Sequence, residues 1–122
     1  MPSTWTQSLG RWGEELAAGF LKDNGYTIIA QNLHIGHAEV DLIAQKNEEL
    51  VFVEVKTRSN HHLGRPEDAV DEHKLTHLIE AAQRYSLEEK IDMPWRIDVI
   101  AITGSPTSHK QPEFQWYENV AF

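Results

Sequence analysis

The sequence predicts an α/β sandwich, a mixed central β-sheet flanked by helices in the order α-β-β-β-α-β-β. Three observations carry that expectation. Apolar residues recur at helical spacing near the start and again in the second half of the chain. Between and after those stretches lie short segments rich in Val and Ile, bounded by polar turns. Two of these segments are joined only by the polar run KNEE, so short a connection that they form an antiparallel hairpin.

The elements follow in order. Residues 8 to 24, SLGRWGEELAAGFLKDN, set Leu9, Trp12, Leu16 and Phe20, flanked by Ala17, on one helical stripe, and Gly25 follows as a stop signal. YTIIAQNL reads as a short strand with Asn32 near its end, and HAEVDLIAQ and LVFVEVKTR as the two strands of the hairpin. RSNHHLGRPED is a polar loop, with Pro66 suited to the first turn of a second helix from about 67 to 89. Val70, Leu75, Leu78, Ile79, Ala82 and Tyr85 supply the apolar face of that helix. WRIDVIAIT is a strand in which Ile97, Val99 and Ala101 alternate with Asp98, Ile100 and Ile102, and FQWYENVAF is a closing strand after a polar loop. No internal repeat or linker interrupts the 122 residues, so one domain over 1–122 is expected.

Composition narrows the function classes. With no cysteine, neither disulfides nor thiolate zinc sites are available, and any metal must be held by oxygen or imidazole. No basic-then-apolar leader opens the sequence and no run approaches the roughly 18 apolar residues of a membrane span, so a soluble cytoplasmic protein is expected. The formal net charge of -8 argues against a uniformly basic DNA-gripping surface, but carboxylates gathered for a cation would add to the same count.

The hairpin carries the chemistry. Side chains alternate along a strand, so Val51, Val53 and Val55 face one way and Phe52, Glu54 and Lys56 the other, while Val40, Leu42 and Ala44 oppose Glu39, Asp41 and Ile43. A turn at Asn47-Glu48 pairs Lys46 with Glu49, sets Asp41 opposite Glu54 and sets Glu39 opposite Lys56. Slipping by one residue would turn valines against charges. Glu39 with Lys56 is an ordinary cross-strand ion pair, but Asp41 facing Glu54 is a like-charge pair that needs a counter-cation. Mg2+ suits it, because it takes carboxylate oxygens and keeps waters. Ile43, Leu50 and Phe52 on the charged face imply a helix over the turn end. The bland reading is a solvated row of weak ion pairs.

These residues resemble a known signature. AEVDLIAQ followed by LVFVEVKTR resembles the PD-(D/E)XK nuclease motif, an acid ending one strand and acid-X-lysine on the next. GRWGEELAAGFL, QNL, EVDLI, VFVEVKTR, Lys74, RIDVIAI and ENVAF extend the similarity over nearly the whole chain to the YraN-like family of that superfamily, which is similar to Holliday junction resolvases. The resemblance implies a restriction endonuclease-like three-layer core and a divalent-metal site for Mg2+ or Mn2+. By position it makes Asp41 and Glu54 metal ligands, Lys56 the residue that orients the attacking water or stabilises charge developing on the phosphate, and Glu14 a group that supports the metal or its waters. Glu39 would be an accessory acid. On a helical wheel Glu14 falls beside Gly10, Ala17 and Leu21 at the edge of the buried stripe, and Glu15 on the opposite flank. The chain departs from the pattern at Val40, where the signature has proline, and at His37-Ala38, where the family shows a glycine before the glutamate.

The activity implied is hydrolysis of phosphodiester bonds in DNA, branched or junction DNA included, with Arg58, Arg65 and Lys74 gripping the substrate. The junction-resolving relatives imply a homodimer. The rival is a non-catalytic nucleic-acid- or protein-binding module that keeps the nuclease fold. His73 and His77, four apart, could make half of a zinc site, but no third ligand has suitable spacing, and they read as helix-surface residues. Asp98 is expected to pair with Arg96 or Lys74 in a structural role.

Overall fold

The computed structural model describes residues 4–59 and 71–121. Its elements follow the predicted order: α1 (Thr4–Asp23), β1 (Thr27–Ile35), β2 (Ala38–Lys46), β3 (Glu49–Arg58), α2 (Glu72–Glu88), β4 (Trp95–Thr103) and β5 (Glu113–Tyr117). The strands form a single open sheet in sequence order, antiparallel except for the parallel β3–β4 pair. A parallel pair needs a long crossover, and α2 lies within it. The sheet is therefore mixed, and each face is covered by one helix.

Under α1 lie Leu42, Ala44, Val51, Val53, Val55, Ile100 and Ile102, met by Ala17, Ala18 and Leu21. Helix α1 starts a turn earlier than its apolar periodicity suggests. Its centre is made of small residues, which lets its backbone sit close to β3. At Gly13 an added Cβ would come 2.0 Å from Thr57 Oγ1, so only glycine fits that approach. Gly25 (φ 88°) ends the helix, and the Tyr26 N–H donates to the Leu21 carbonyl at 3.0 Å, closing a Schellman turn.

The other face holds Val40, Ile43, Leu50, Phe52 and Ile97 beneath Leu78, Ala81 and Ala82 of α2, the helix expected over the turn end of the hairpin. Asp71 sets the start of α2: its side chain accepts from the Lys74 N–H at 2.8 Å, and its own backbone is extended. The helix thus begins at Glu72 rather than near 67, while Arg65, Pro66 and Val70 lie outside the described residues.

The hairpin register is the expected one, running from Lys46–Glu49 through Leu42–Val53. Asn47 carries the turn with a φ of 56°. Two expectations are corrected. Val40 packs on the α2 side, not with Leu42 and Ala44, so strict alternation does not pass through Asp41. The closing strand stops at Tyr117. Asn119 (φ 54°) turns the tail, and Val120 donates from its N–H to the Ile97 carbonyl at 2.8 Å and packs against the α2-side core.

Candidate functional site

Backbone pairing between β2 and β3 stops at Leu42–Val53, one step short of Asp41 and Glu54. Beyond it the Val55 N–H donates to Asp41 Oδ2 at 2.8 Å, so a carboxylate takes over where the ladder ends. Glu14, Asp41, Glu54 and Lys56 line a cavity of about 310 Å³ with Leu9, Gly10, Val55 and Thr57. Glu14 arrives on α1, Asp41 on β2, and Glu54 and Lys56 on β3. The close approach at Gly13 is what carries its neighbour Glu14 to the sheet.

Glu54 is buried, at 3% exposure, and two ammonium groups compensate it. Lys74 of α2 bonds directly to Glu54 Oε1, and Lys56 Nζ stands 3.3 Å from the same oxygen. Burial alone would pull the Lys74 ammonium down, but the bond to Glu54 and its charge raise it above its ordinary value. The carboxylates are less well served. Burial first, and then the charge of Glu54, push Asp41 up to about 7, against the Val55 N–H that favours its ionised form. Burial and then the charge of Glu39 raise Glu14 too, against a hydrogen bond from Asn32.

Several sequence expectations land elsewhere. Glu39 does not pair with Lys56; it faces His34 across the β1–β2 ladder, with His34 Nε2 3.9 Å from its Oε2. Lys56 turns to Glu54 of its own strand instead, as expected of a side chain two residues along on the same face. Arg58 closes β3 two residues beyond Lys56, outside the cavity lining. Asp98 is fully buried and pairs with Arg96. The His73 and His77 rings lie 4.3 Å apart, and His37 from the β1–β2 turn comes within 5.5 Å of His77. That third imidazole was not foreseen, because the strand turn is far from α2 in sequence. Among the described residues no group of three or more His, Asp or Glu side chains stands in a metal-holding arrangement.

Sequence reasoning also passed over Asn32. With its amide nitrogen turned toward α1, it donates to Glu14 Oε2 at 2.8 Å and to Oε1 at 3.1 Å. The readable signal was an asparagine inside an apolar strand, a residue tolerant of left-handed backbone.

A divalent cation fits the chemistry of the donor set. Asp41 and Glu54 are hard oxygen donors, and burial first and the charge of Glu54 second raise the carboxyl of Asp41. Two protein carboxylates, with waters completing the shell, are a usual complement for Mg2+. A cation there would relieve the repulsion that Lys56 and Lys74 offset only in part.

Among the described residues no helix is long and apolar enough to cross a membrane. The sequence pattern of the uncharacterised protein family UPF0102 matches residues 13–102. A UPF0102 protein of Phocaeicola vulgatus is 42% identical over 98 residues, covering 80% of this chain and 81% of that protein. One from Bacteroides thetaiotaomicron is 45% identical over 96 residues, 79% of each chain. A third, from Flavobacterium psychrophilum, is 39% identical over 107 residues, 88% of this chain and 90% of its own. Among solved structures, Pyrococcus furiosus SfsA in complex with Ca2+ shares 13% identity at a TM-score of 0.39, over 93% of this chain and 63% of that one, a likeness too distant to bear on fold or function. The chain belongs to the UPF0102 family.

Proposed function

We propose that this protein is a divalent-metal-dependent nuclease that hydrolyses phosphodiester bonds in DNA, on a restriction endonuclease-like core of the PD-(D/E)XK type. The supporting observation is that Glu14, Asp41, Glu54 and Lys56, drawn from three elements, line one cavity. Asp41 and Glu54 would hold Mg2+ or Mn2+, with Glu14 reaching the same region. Such an ion, when bound, polarises the phosphate and makes water a competent nucleophile near neutral pH.

The chain's own groups supply the rest. Hydrolysis forms a bond from water oxygen to phosphorus as that water gives up a proton to solvent, and breaks a P–O ester bond, whose leaving alkoxide takes a proton from solvent. Lys56 is fixed beside Glu54, so its charge stands ready where negative charge builds on the phosphate. Lys74 is placed to meet a phosphate if it leaves Glu54. Arg58 lies near enough to Lys56 in sequence to extend the grip along a backbone, and Arg65 belongs to the same proposal from sequence alone. A homodimer and a cytoplasmic setting complete the proposal.

The test is cleavage of branched, flapped and linear DNA, and of RNA, in Mg2+ or Mn2+. Cleavage reduced about 10²-fold or more in Lys56→Ala and in Asp41→Asn is the expected outcome. Wild-type cleavage no greater than that of Asp41→Asn defeats the proposal. One observation favours a second reading, a non-catalytic module retaining the fold: both lysines already compensate Glu54. Calorimetric titration with Mn2+ separates the two. Binding abolished by Asp41→Ala supports the enzyme, and its absence in the wild type supports the module.

A further inference from the structure

The β1–β2 ladder shifts register between Ile28 and Ala30, and beyond that shift it lacks a pair at the level of the acid cluster. The pairs Gln31–Leu42 and Leu33–Val40 put Asn32 level with Asp41, and neither residue appears in the pairing on either side of Asp41. Asn32 has a φ of 51°, and across this level the faces of β2 exchange, Val40 packing toward α2 and Leu42 toward α1. A left-handed residue in a central strand would disturb two ladders. On β1, the edge of the sheet, it disturbs only one.

The side chain makes use of that backbone. Glu14 on α1 has several rotatable bonds, and a free glutamate spends little time in one orientation. The Asn32 amide nitrogen, at 2.8 and 3.1 Å from its two oxygens, fixes the carboxylate at the cavity. Glycine would accept the same φ but offer no donor, and aspartate would accept it but add another negative charge. Asparagine supplies both requirements on a short side chain.

We propose that Asn32 is a positioning residue of the acid cluster: it holds the Glu14 carboxylate at the cavity that Asp41 and Glu54 line, where it can reach the waters of a cation held by those two. This role rests on the metal-binding reading above. Its action on Glu14 can be read without any metal.

Two measurements test it. In metal-free protein, a double-mutant cycle of Asn32→Gly and Glu14→Ala is followed by urea unfolding; glycine keeps the left-handed backbone and removes only the amide. The unfolding constant of the double variant should depart from the product of the single effects by more than about twofold. Calorimetry with Mn2+ then compares the same proteins. Asn32→Gly should weaken Mn2+ binding about tenfold in the wild-type background and have no further effect in Glu14→Ala. Independent single effects, or wild-type Mn2+ affinity in Asn32→Gly, overturn the role of Asn32 while leaving the metal site intact. A wild-type protein that binds no Mn2+ overturns the metal-site reading and with it the positioning role, even if the two side chains are coupled in unfolding.

Discussion

Two charged clusters sit on this sheet, and they are built on opposite principles. In one, Asp98, fully buried, accepts from Arg96 Nε at 2.9 Å and Nη2 at 3.2 Å, from the Trp116 indole at 2.9 Å and from the Asn119 N–H at 2.9 Å. Arg96 also bonds to Glu49, to the Tyr26 hydroxyl and to Glu118. Its guanidinium is raised above its ordinary value, because the bonds to Asp98 and Tyr26 outweigh burial. In the other, one register step along from Asp98, Glu14, Asp41 and Glu54 converge with two lysines, both turned to Glu54. Asp41 and Glu14 are each left resisting ionisation. A satisfied cluster holds the fold together. An unsatisfied one persists where function needs it, and perturbed carboxylates in a cleft mark such a place.

The largest effect comes from breaking the satisfied cluster. Asp98→Ala strips Arg96 of its buried partner and leaves the Trp116 and Asn119 donors without their acceptor, so it should cost about 3–5 kcal/mol in urea unfolding. A loss below about 1 kcal/mol would remove the contrast between the two clusters.

Next comes relief of the unsatisfied cluster, which should have the opposite sign. The Asp41 carboxyl titrates at about 7 in the folded chain against an ordinary 3.8, so between those values the folded state keeps a proton that the unfolded state has released. Metal-free stability therefore falls as pH rises from about 4 to 7, and the full penalty applies above that window. Asp41→Asn should be more stable than wild type by roughly 2–3 kcal/mol at pH 8, with the gap closing toward pH 4. Thermal unfolding across pH checks this, and an Asn variant less stable than wild type at pH 8 contradicts it. Where Mn2+ binds, saturating ion should reverse the order at pH 8, because only the wild type gains from it.

How far this contrast could be read in advance depended on how local its causes were. The hairpin register was legible because Val51, Val53 and Val55 must all face one core, and KNEE leaves little freedom. The edge position of Glu14 was legible from helical spacing, and the pairing of Asp98 with Arg96 from their separation along one strand. The shift of Val40 was not, since alternation assumes an even pleat and nothing in the string states that Asn32 is left-handed. Nor was the bond from Lys74 to Glu54, which depends on how α2 lies across the sheet and on its start at Asp71 rather than near 67. The end of β5 was misjudged for a related reason. Asn119 turns the tail back to Asp98, a partner 21 residues earlier in the chain.

The smallest effect concerns the contact that joins α1 to the acid cluster. At Gly13 an added methyl would lie 2.0 Å from Thr57 Oγ1 and 3.0 Å from its Cγ2, with the Thr57 Cβ only 3.1 Å away, so rotating the threonine does not clear the space. Helix and strand must part instead. Overpacking of this kind costs about 1–3 kcal/mol, and alanine's better helix propensity returns up to about 1, so Gly13→Ala should lose roughly 1–2 kcal/mol in urea unfolding. Its second consequence discriminates between the clusters. Glu14 is the next residue along α1, so moving the helix outward should weaken Mn2+ binding about tenfold. The Arg96–Asp98 hydrogen bonds take no partner from α1 and should persist, although Trp116 fluorescence should respond to the helix, because Phe20 of α1 meets the indole edge-on with ring centroids 5.6 Å apart. Gly13→Thr should do more of the same on both counts, since a branched side chain drives the helix further from β3. If Gly13→Ala loses stability yet binds Mn2+ as the wild type does, α1 serves the core alone, and the carboxylates of β2 and β3 must hold any ion without it.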